Sequence, residues 1–383
     1  MGHLNGCDAI VMIAASEVDS NLYYATRFLA PDPFIFIQAG TEKILVMSDL
    51  EVDRARNQAR VETVLSYSAF EAKVKERGTG TPSPLDVLDL VLQERKAHHL
   101  LVPGSFGIEY ADHLRARGYT LTVKREPFFE ERLVKSEEEI EKISATQRAT
   151  EDAVDGAISA IRAAKIGNDG LLYLDGDLLT SEGLKKIINV SLMESDCVAQ
   201  HTIVAAGLHG VDPHHQGTGP IRANESIVMD VFPRSGRTRY FADMTRTVVK
   251  GKASPKLKAM YQAVFNAQER GIELVRDGAD GKAIHTEVNQ VLEKDGFSTG
   301  MVGGRMQGFF HGTGHGLGLD IHEPPRISKT GAILRSGYVV TVEPGLYYMD
   351  AGAVRIEDLV VVTPGGCRNL TTFPKGLTEL EIE

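Results

Sequence analysis

The first third of the chain alternates short runs of branched and aromatic residues with segments whose apolar residues recur at helical spacing. The first kind of run predicts strands at 10–14, 34–38, 44–48, 61–67 and 100–103. The second kind predicts helices at 51–59, 84–96 and 108–117. Only a short stretch containing Ala39 and Gly40 separates the second strand from the third, which predicts a hairpin there. A mixed sheet with helices on its faces, an α/β domain, is the expected result.

The pattern changes near residues 130–136, and we place the boundary between residues 1–132 and residues 133–383 there. Ser136 and Glu139 have the spacing of a capping box, which predicts a helix that runs from this point to about Lys165. Helical spacing recurs further along the chain at 171–193, 255–276 and 280–295. A strand is predicted at 202–207, so the second domain is expected to be α+β.

Residues 227–251 have the strand, turn, strand pattern of a hairpin. Asp230 and Asp243 are equidistant from a turn centred on Gly236 and Arg237, which predicts that they face each other across the two strands. Two carboxylates about 5 Å apart repel each other. One of them must then be protonated, or a cation must lie between them.

Residues 339–366 repeat this arrangement, with Glu343 and Glu357 in a similar relation. Each hairpin consists of an apolar strand, an acid, a turn, a second acid and a valine-rich strand. The similarity predicts an internal repeat of roughly 110 residues whose halves face each other across a shared site. An edge strand exposing single acids to water would explain any one of the four, but two matched pairs favour a site.

The segment 311–323 contains three histidines, His311, His315 and His322, among alternating glycines. Two histidines four residues apart would suggest a zinc site on a helix. Glycine destabilises a helix by roughly 1 kcal/mol per residue, so this backbone is expected to be extended or irregular. Imidazoles held on such a backbone favour a chemical role over simple packing.

Four carboxylates and one histidine make an oxygen-rich ligand set, unlike the thiolates and imidazoles of a structural zinc site. Such a set suits two divalent ions held about 3.5–4 Å apart. Oxygen ligands favour manganese, and cobalt, zinc and iron remain alternatives.

Composition excludes several other classes of protein. The formal net charge of −10 and the lack of a basic tract argue against nucleic-acid binding. No apolar stretch reaches 18 residues, so no membrane span is expected. The apolar run 9–15 is too short for a signal peptide and has acids around it. Three scattered cysteines predict reduced thiols in a cytoplasmic protein.

These motifs resemble those of the pita-bread metallopeptidase family, which contains prolidase (Xaa-Pro dipeptidase), aminopeptidase P, methionine aminopeptidase and creatinase. The resemblance covers the whole chain, is strongest to prolidase, and implies a pita-bread catalytic domain preceded by a smaller α/β domain of the creatinase type. His311 and His322 match the family's two other active-site histidines. The five metal ligands of the family match Asp230, Asp243, His315, Glu343 and Glu357.

The same resemblance implies three substrate-binding residues. His214 matches a histidine that helps to bind substrate, with the neighbouring His215 as the alternative. Arg355 matches an arginine beside the last metal ligand. Arg326 matches an arginine near the substrate carboxylate in short prolidases.

One stretch departs from the family pattern. The first two aspartates are two residues further apart than usual, and the letters DVFPRS replace the usual Asp-x-Gly. Two added residues preserve the alternation of side chains, so both carboxylates can still face one side. We expect the ligand set to be retained and the tip of the hairpin to differ in shape.

The function implied is hydrolysis of Xaa-Pro dipeptides, with bound metal lowering the pKa of the attacking water. Glu343 is expected to carry the proton as well as bind metal, and His311 and His322 to stabilise the oxyanion or position the substrate. Aminopeptidase P activity on longer peptides is the main alternative. A metal-free creatinase-like hydrolase and a non-catalytic binding protein are less compatible with five ligands.

The resemblance also implies a homodimer. In that arrangement the N-terminal domain supplies dimer contacts and partly covers the cleft of the partner. No nucleic-acid or membrane partner is expected.

Overall fold

The computed structural model describes residues 6–78 and 81–383. The chain divides into two compact units, Met1–Glu130 and Glu131–Glu383. In the part of the chain that the structure describes, no helix is both long and apolar enough to cross a membrane.

The N-terminal unit contains a six-stranded mixed sheet in the order β4-β3-β2-β1-β5-β6. The pairs β1–β2 and β2–β3 are antiparallel, and the remaining pairs are parallel. The strands are β1 (Ala9–Ala14), β2 (Phe34–Ala39), β3 (Glu42–Met47), β4 (Thr63–Ser66), β5 (His99–Pro103) and β6 (Thr120–Lys124).

Helices cover both faces of this sheet because both faces are apolar. Ala9 and Val11 pack on one side with α3, α4 and α5, and Ile10 and Met12 pack on the other with α1 and α2. The helices are α1 (Ser20–Thr26), α2 (Val52–Gln58), α3 (Tyr67–Glu76), α4 (Pro84–Glu94) and α5 (Ile108–Ala116). The sequence pattern missed α1, α3 and β6, and the strand predicted at 61–67 ends where α3 begins.

The first half of the C-terminal unit consists of two helices followed by an antiparallel sheet. The capping box of Ser136 and Glu139 is formed as predicted, and it opens α6 (Glu137–Ala163). Residues 171–193 are not continuously helical, because 172–178 forms a small hairpin before α7 (Ser181–Glu194). The strands of this half are β7 (Lys165–Ile166), β8 (Leu172–Leu174), β9 (Asp177–Leu178), β10 (Cys197–Val198), β11 (Ile203–Ala206), β12 (Ile227–Val231), β13 (Arg234–Ser235) and β14 (Met244–Lys250).

The second half repeats that order, with α8 (Pro255–Leu274) and α9 (Gly281–Lys294) ahead of a second sheet. Each helix pair packs on the sheet of its own half in a separate hydrophobic core. The strands are β15 (Gly300–Val302), β16 (Arg305–Gln307), β17 (Gly314–Gly316), β18 (Glu323–Ile327), β19 (Val339–Val342), β20 (Gly345–Tyr348), β21 (Gly352–Arg355), β22 (Asp358–Thr363), β23 (Gly366–Asn369) and β24 (Glu381–Ile382).

The two principal sheets have the orders β11-β12-β14-β24 and β18-β17-β19-β22-β23. In each, two of the predicted acidic ligands lie on or directly beside a strand pair: Asp230 and Asp243 at β12–β14, and Glu343 and Glu357 at β19–β22. The internal repeat expected from the sequence is therefore visible as two similar layers of helices and strands.

Candidate metal centre

The first hairpin does not have the register predicted from its turn. Asp230 lies opposite Thr245, and not opposite Asp243. Beyond β12 the ladder continues, because the Ala242 N–H donates to the Pro233 carbonyl (3.0 Å). This register places Asp243 opposite Phe232. The prediction assumed a tight symmetric turn, whereas the tip is a wider loop whose strand β13 pairs with β10.

Alternation of side chains nevertheless brings both aspartates to one face. Asp230 and Phe232 are two residues apart on one strand, and Asp243 and Thr245 are two residues apart on the other. All four side chains therefore point to the same side of the sheet. The prediction that the longer spacing keeps both carboxylates on one side agrees with this geometry.

The second hairpin keeps one register along its whole length. Val342 pairs with Asp358 in one ladder, and Gly345 pairs with Arg355 in the next. Glu343 and Glu357 occupy corresponding positions between those ladders, so they face each other as the sequence predicts.

His315 lies on β17, which packs unusually close to both of its neighbours. A Cβ atom at Gly314 would approach the Thr341 carbonyl oxygen to 1.9 Å, and one at Gly316 would approach the Pro324 carbonyl oxygen to 2.3 Å. Only glycine fits at these two positions. The glycines therefore allow an extended strand to carry His315 between two sheet strands, as expected from the segment's composition.

A cavity of about 590 Å³ lies on the faces that carry these acids. All ten residues that the sequence predicts for the site line it, and they come from both halves of the C-terminal unit. They are His214, Asp230, Asp243, His311, His315, His322, Arg326, Glu343, Arg355 and Glu357.

Asp243, His315 and Glu357 form the tightest cluster, since their potential ligand atoms all lie within 4.8 Å of one another. His315 Nε2 is 3.4 Å from Glu343 Oε1 and 3.7 Å from Asp243 Oδ2. The Thr245 hydroxyl donates a 2.8 Å hydrogen bond to Glu357 Oε2 and fixes that carboxylate.

Burial makes this cluster electrostatically unfavourable without a cation. It raises the pKa of Asp243 well above its ordinary value, and the charges of Glu357 and Asp230 raise it further. Burial likewise raises the pKa of Glu357, and it raises that of Glu343 to about 7. Burial lowers the pKa of His315 to about 3, so its imidazole is neutral and can offer a lone pair.

The donor set fits a divalent cation. Oδ1 of Asp230 is buried and has no hydrogen-bond partner among the residues that the structure describes. A buried carboxylate oxygen without a donor is costly unless a cation lies beside it. Because His315 is neutral and its Nδ1 faces the Gly316 carbonyl (3.2 Å), its Nε2 presents a lone pair to the acids. Oxygen and nitrogen lone pairs that converge in this way are a metal-ligand arrangement.

The three histidines of the 311–323 segment differ in the hydrogen-bond partners of their ring nitrogens and in their exposure. His311 Nδ1 lies 2.8 Å from the Gly312 carbonyl, and its Nε2 lies 2.9 Å from the Tyr347 hydroxyl. Both nitrogens are therefore engaged, and burial lowers the pKa of His311 to about 3. His322 is more exposed, and its ring lies 4.4 Å from that of His315. The geometry favours a positioning role for His311 and direct contact with substrate for His322.

The residues predicted to bind substrate fall into two groups. His214 and Arg326 are exposed to the cavity, and Arg326 makes no ion pair with any described residue. Arg355 is buried, and its guanidinium donates to Asp230 (2.6 Å) and to the Tyr347 hydroxyl (2.8 Å). These contacts favour a role in holding Asp230. His215 does not line the cavity, and its ring stacks on His209.

Polar residues that support the acidic cluster were not among the predicted site residues. Thr245 could have been found, since it lies two residues after Asp243 on the same face of its strand. Tyr347 joins His311 to Arg355, and nothing in the local pattern marks it out.

Arg246 is a further missed residue, and it is fully buried behind the cluster. All of its N–H groups donate: Nε to Pro374, Nη1 to the carbonyls of Thr245 and Glu357, and Nη2 to Phe373 and to Asp358 Oδ1. Burial opposes ionisation of Asp358, but the charges of Arg246 and Lys375 hold its pKa below the ordinary value. Arg246 thus holds the Glu357 carbonyl and the side chain of the next residue, Asp358.

The model of metallopeptidase family M24 matches residues 141–364. The uncharacterized peptidase YqhT of Bacillus subtilis is 34% identical over 251 residues, which are 64% of this chain and 64% of that protein. The chain therefore spans less than two thirds of that relative. The Xaa-Pro dipeptidase of Pyrococcus furiosus is 26% identical over 93% of this chain and 92% of its own length.

Solved structures show the same fold. The X-Pro aminopeptidase of Thermotoga maritima matches with a TM-score of 0.80 at 23% identity, covering 97% of both chains. The prolidase of Pyrococcus furiosus matches with a TM-score of 0.77 at 24% identity, covering 97% of this chain and 98% of that one. The family match spans more than half of the chain and includes every residue of the acidic cluster, so the chain belongs to metallopeptidase family M24 and has its pita-bread fold.

Proposed function

We propose that this metallopeptidase hydrolyses the peptide bond before proline and that Xaa-Pro dipeptides are its preferred substrates. Relatives with this activity in their names match almost the whole chain. The observation that carries the proposal is the position of Arg326. This arginine lies opposite His315 in the β17–β18 ladder, has no ion-pair partner among the described residues, and lines the cavity beside the acids.

The metal is proposed to be held by Asp230, Asp243, His315, Glu343 and Glu357. We propose two divalent ions, manganese for preference, because four carboxylates and one imidazole exceed the needs of a single ion. When bound, such ions act as Lewis acids that polarise the scissile carbonyl and lower the pKa of a water molecule.

The side chains around the metal would move protons and orient the substrate. Glu343 is buried in the acidic cluster and, besides holding metal, would accept the proton of the attacking water. His322 is open to the cavity and would donate a hydrogen bond to the oxygen of the scissile carbonyl. His311 would act through Tyr347, because both of its ring nitrogens are engaged.

Recognition of a dipeptide requires a partner for its free carboxylate. Arg326 would supply this partner, since a guanidinium binds a carboxylate through two parallel hydrogen bonds. His214, exposed on the same cavity, would provide a second polar contact. A bond before proline has no N–H, so this mode of binding does not depend on the hydrogen that ordinary peptidases recognise.

The Arg326→Ala variant tests the substrate assignment. We expect its kcat/KM for Xaa-Pro dipeptides to fall by about ten- to a hundredfold, the range for one charge-assisted contact. A longer Xaa-Pro-peptide or an amidated dipeptide should lose much less. Arg335→Ala removes an exposed arginine outside the cavity and is the matched control.

Aminopeptidase P activity is the second candidate, because a solved X-Pro aminopeptidase shares the fold over nearly the whole chain. If the wild-type enzyme cleaves Xaa-Pro-Xaa tripeptides faster than Xaa-Pro dipeptides, aminopeptidase P replaces the dipeptidase assignment.

The histidine roles have their own test. His315→Ala should lose metal, whereas His322→Ala should keep metal and lose turnover, because His315 Nε2 lies 3.4 Å from Glu343 and 3.7 Å from Asp243, whereas His322 is exposed to the cavity. Metal content measured by mass spectrometry and initial rates separate the two variants. Metal loss in His322→Ala with retention in His315→Ala would mean that the two roles are exchanged.

We further propose a cytoplasmic homodimer in which residues 1–132 supply dimer contacts and partly cover the partner's cleft, and residues 133–383 form the catalytic domain. Three free cysteines, Cys7, Cys197 and Cys367, suit a reducing compartment. Light scattering on the full chain and on residues 133–383 tests this. A full chain that stays monomeric at micromolar concentration contradicts it.

A further inference from the structure

One side of the cavity is apolar, although acids and histidines dominate the rest. Ile203 lies opposite Asp230 in the β11–β12 ladder, and Phe232 lies two residues beyond Asp230 on the same face. Ile321, from the loop between β17 and β18, is a further apolar residue that lines the cavity. We call Ile203, Phe232 and Ile321 the apolar wall.

The loop that carries Ile321 is attached to the tip of the first hairpin. The Phe241 N–H donates to the Gly318 carbonyl at 2.8 Å, which joins that loop to the strand carrying Asp243. Phe310, another aromatic residue of the cavity, packs instead on Tyr347, with ring centroids 5.4 Å apart. The apolar wall is therefore a separate surface on the side of the first hairpin.

Phe232 is the largest member of the wall, and it is only half-buried. It lies opposite Asp243 in the register of the hairpin, so its ring flanks the acidic cluster. An aromatic ring left half-exposed inside a polar cavity gains free energy when an apolar ligand group covers it.

The positions of the wall and of Arg326 orient the substrate. Arg326 belongs to the second sheet, whereas Ile203 and Phe232 of the wall belong to the first hairpin and the strand beside it, and the acids of both hairpins contribute to the centre. A dipeptide whose carboxylate binds Arg326 and whose scissile carbonyl meets the acids must direct its amino-terminal residue towards the first hairpin. That residue's side chain then meets the apolar wall.

We propose that Phe232 determines substrate specificity by binding the side chain of the residue before the scissile bond, and that this residue is apolar. The inference rests on the proposed function for the direction of the substrate. Leu-Pro and Met-Pro are then better substrates than Gly-Pro or Asp-Pro, because only the first two cover the wall.

The test compares kcat/KM for Leu-Pro and Gly-Pro in manganese-loaded wild-type enzyme and in Phe232→Ala. We expect the wild-type preference for Leu-Pro to fall by about tenfold in the variant, the usual effect of removing a hydrophobic subsite contact. Phe232→Leu keeps an apolar side chain and should retain most of the preference. Phe265→Ala removes a half-buried ring on α8, away from the cavity, and should leave the preference unchanged.

An unchanged or increased Leu-Pro to Gly-Pro ratio in Phe232→Ala overturns the inference. Equal losses on both substrates do so as well, because they indicate a structural role only. If the wild type cleaves neither dipeptide, the proposed function fails instead. The same ratio is then measured on Leu-Pro-Xaa and Gly-Pro-Xaa tripeptides and on Leu-Ala and Gly-Ala, where a tenfold change still supports the role of Phe232.

Discussion

The two hairpins of the C-terminal unit each contribute two acids to one cavity, but they do so with different strand pairings. Glu343 and Glu357 face each other directly across the second hairpin. In the first hairpin Asp230 faces Thr245, and Asp243 faces Phe232 two residues further along the strands. The acids are thus opposed in one half of the repeat and diagonal in the other.

The difference shows what a shared site requires of a hairpin. Direct opposition is not needed. Side chains alternate along a strand, so a shift of the pairing by two residues leaves both acids on the same face. In the diagonal arrangement, two positions on that face opposite the aspartates are occupied by other side chains. Thr245 occupies one of them and donates a hydrogen bond to Glu357 of the other hairpin. Phe232 occupies the other and lines the cavity with an apolar ring.

Replacing one acid in each hairpin should have the largest effect, and it tests whether both hairpins are required for metal binding and turnover. Asp243→Asn and Glu357→Gln should each lose at least one metal ion and reduce kcat by at least about a thousandfold, since metal supplies several kcal/mol of transition-state stabilisation. Metal analysis and initial rates measure both effects. Asp350→Asn changes an exposed acid of the second hairpin and is the control. Full activity of either variant, or of wild type after exhaustive chelation, would contradict the assignment.

Arg246 links the two hairpins from behind, so its loss should have the next largest effect. Arg246→Met leaves Asp358 buried with one cation fewer and leaves the Glu357 carbonyl without this donor. We expect the free energy of unfolding to fall by about 3–5 kcal/mol, the usual result of breaking a buried ion pair. Chemical denaturation of the metal-loaded protein measures this. Arg270→Met, at an exposed ion pair on α8, should change stability little, and a similarly small effect of Arg246→Met would show that the link is dispensable.

The acids of both hairpins should make the stability of the metal-free protein depend on pH. Burial raises the pKa of Glu343 to about 7, so the folded state holds this proton more tightly than the unfolded state. The stabilisation is complete below the ordinary glutamate pKa and is lost as pH rises through about 7. For Glu343 alone it is on the order of 3 kcal/mol.

Thermal unfolding of the chelated protein between pH 5 and pH 8 measures this loss. The Tm should fall as pH rises, and Asp243 and Glu357 contribute in the same direction because their pKa values are also raised. Glu343→Gln should flatten the dependence, and bound metal should remove most of it. A Tm of the chelated protein that rises with pH over this interval would contradict the electrostatic account.

Thr245 offers the smallest and most selective test. Thr245→Val removes the hydroxyl that donates to Glu357 and accepts from Arg355 Nε. Loss of such a support usually weakens metal affinity by about ten- to a hundredfold. Thr247→Val removes a buried hydroxyl on the same strand that donates to the Arg355 carbonyl and accepts from the Arg355 N–H. Calorimetric titration with manganese should show weaker binding for the first variant alone, and equal weakening in both would indicate a general effect on the strand.

The sequence pattern predicted most of the strands and helices but not α1, α3 and β6, and the pattern together with the family resemblance supplied the ten predicted residues that line the cavity. These predictions succeeded because the acids lie in or directly beside apolar strands, and because Gly314 and Gly316 are required sterically on either side of His315. The register of the first hairpin was not predictable in the same way. Its wide tip is held by pairing of β13 with β10, a contact between segments that are distant in the sequence.

Tertiary contacts also decided what individual side chains do. His311 has the same local surroundings as its neighbours in the glycine-rich segment. Only the fold shows that Tyr347 and the Gly312 carbonyl engage both of its nitrogens. Arg246 and Arg355 are likewise buried by strands from the opposite half, so the sequence around them does not show their partners.

The bonds that unite the two halves also have a consequence for the order of folding. Thr245 and Glu357 are 112 residues apart, and Asp230 and Arg355 are 125 residues apart. Contacts of such long range form only after the intervening chain has been closed into a loop, and they slow folding. Each half can build its own helix pair and sheet beforehand, with its acids still hydrated. The repulsion among the carboxylates then arises only in the final docking of the halves, and this is the step that a divalent ion in the medium would favour.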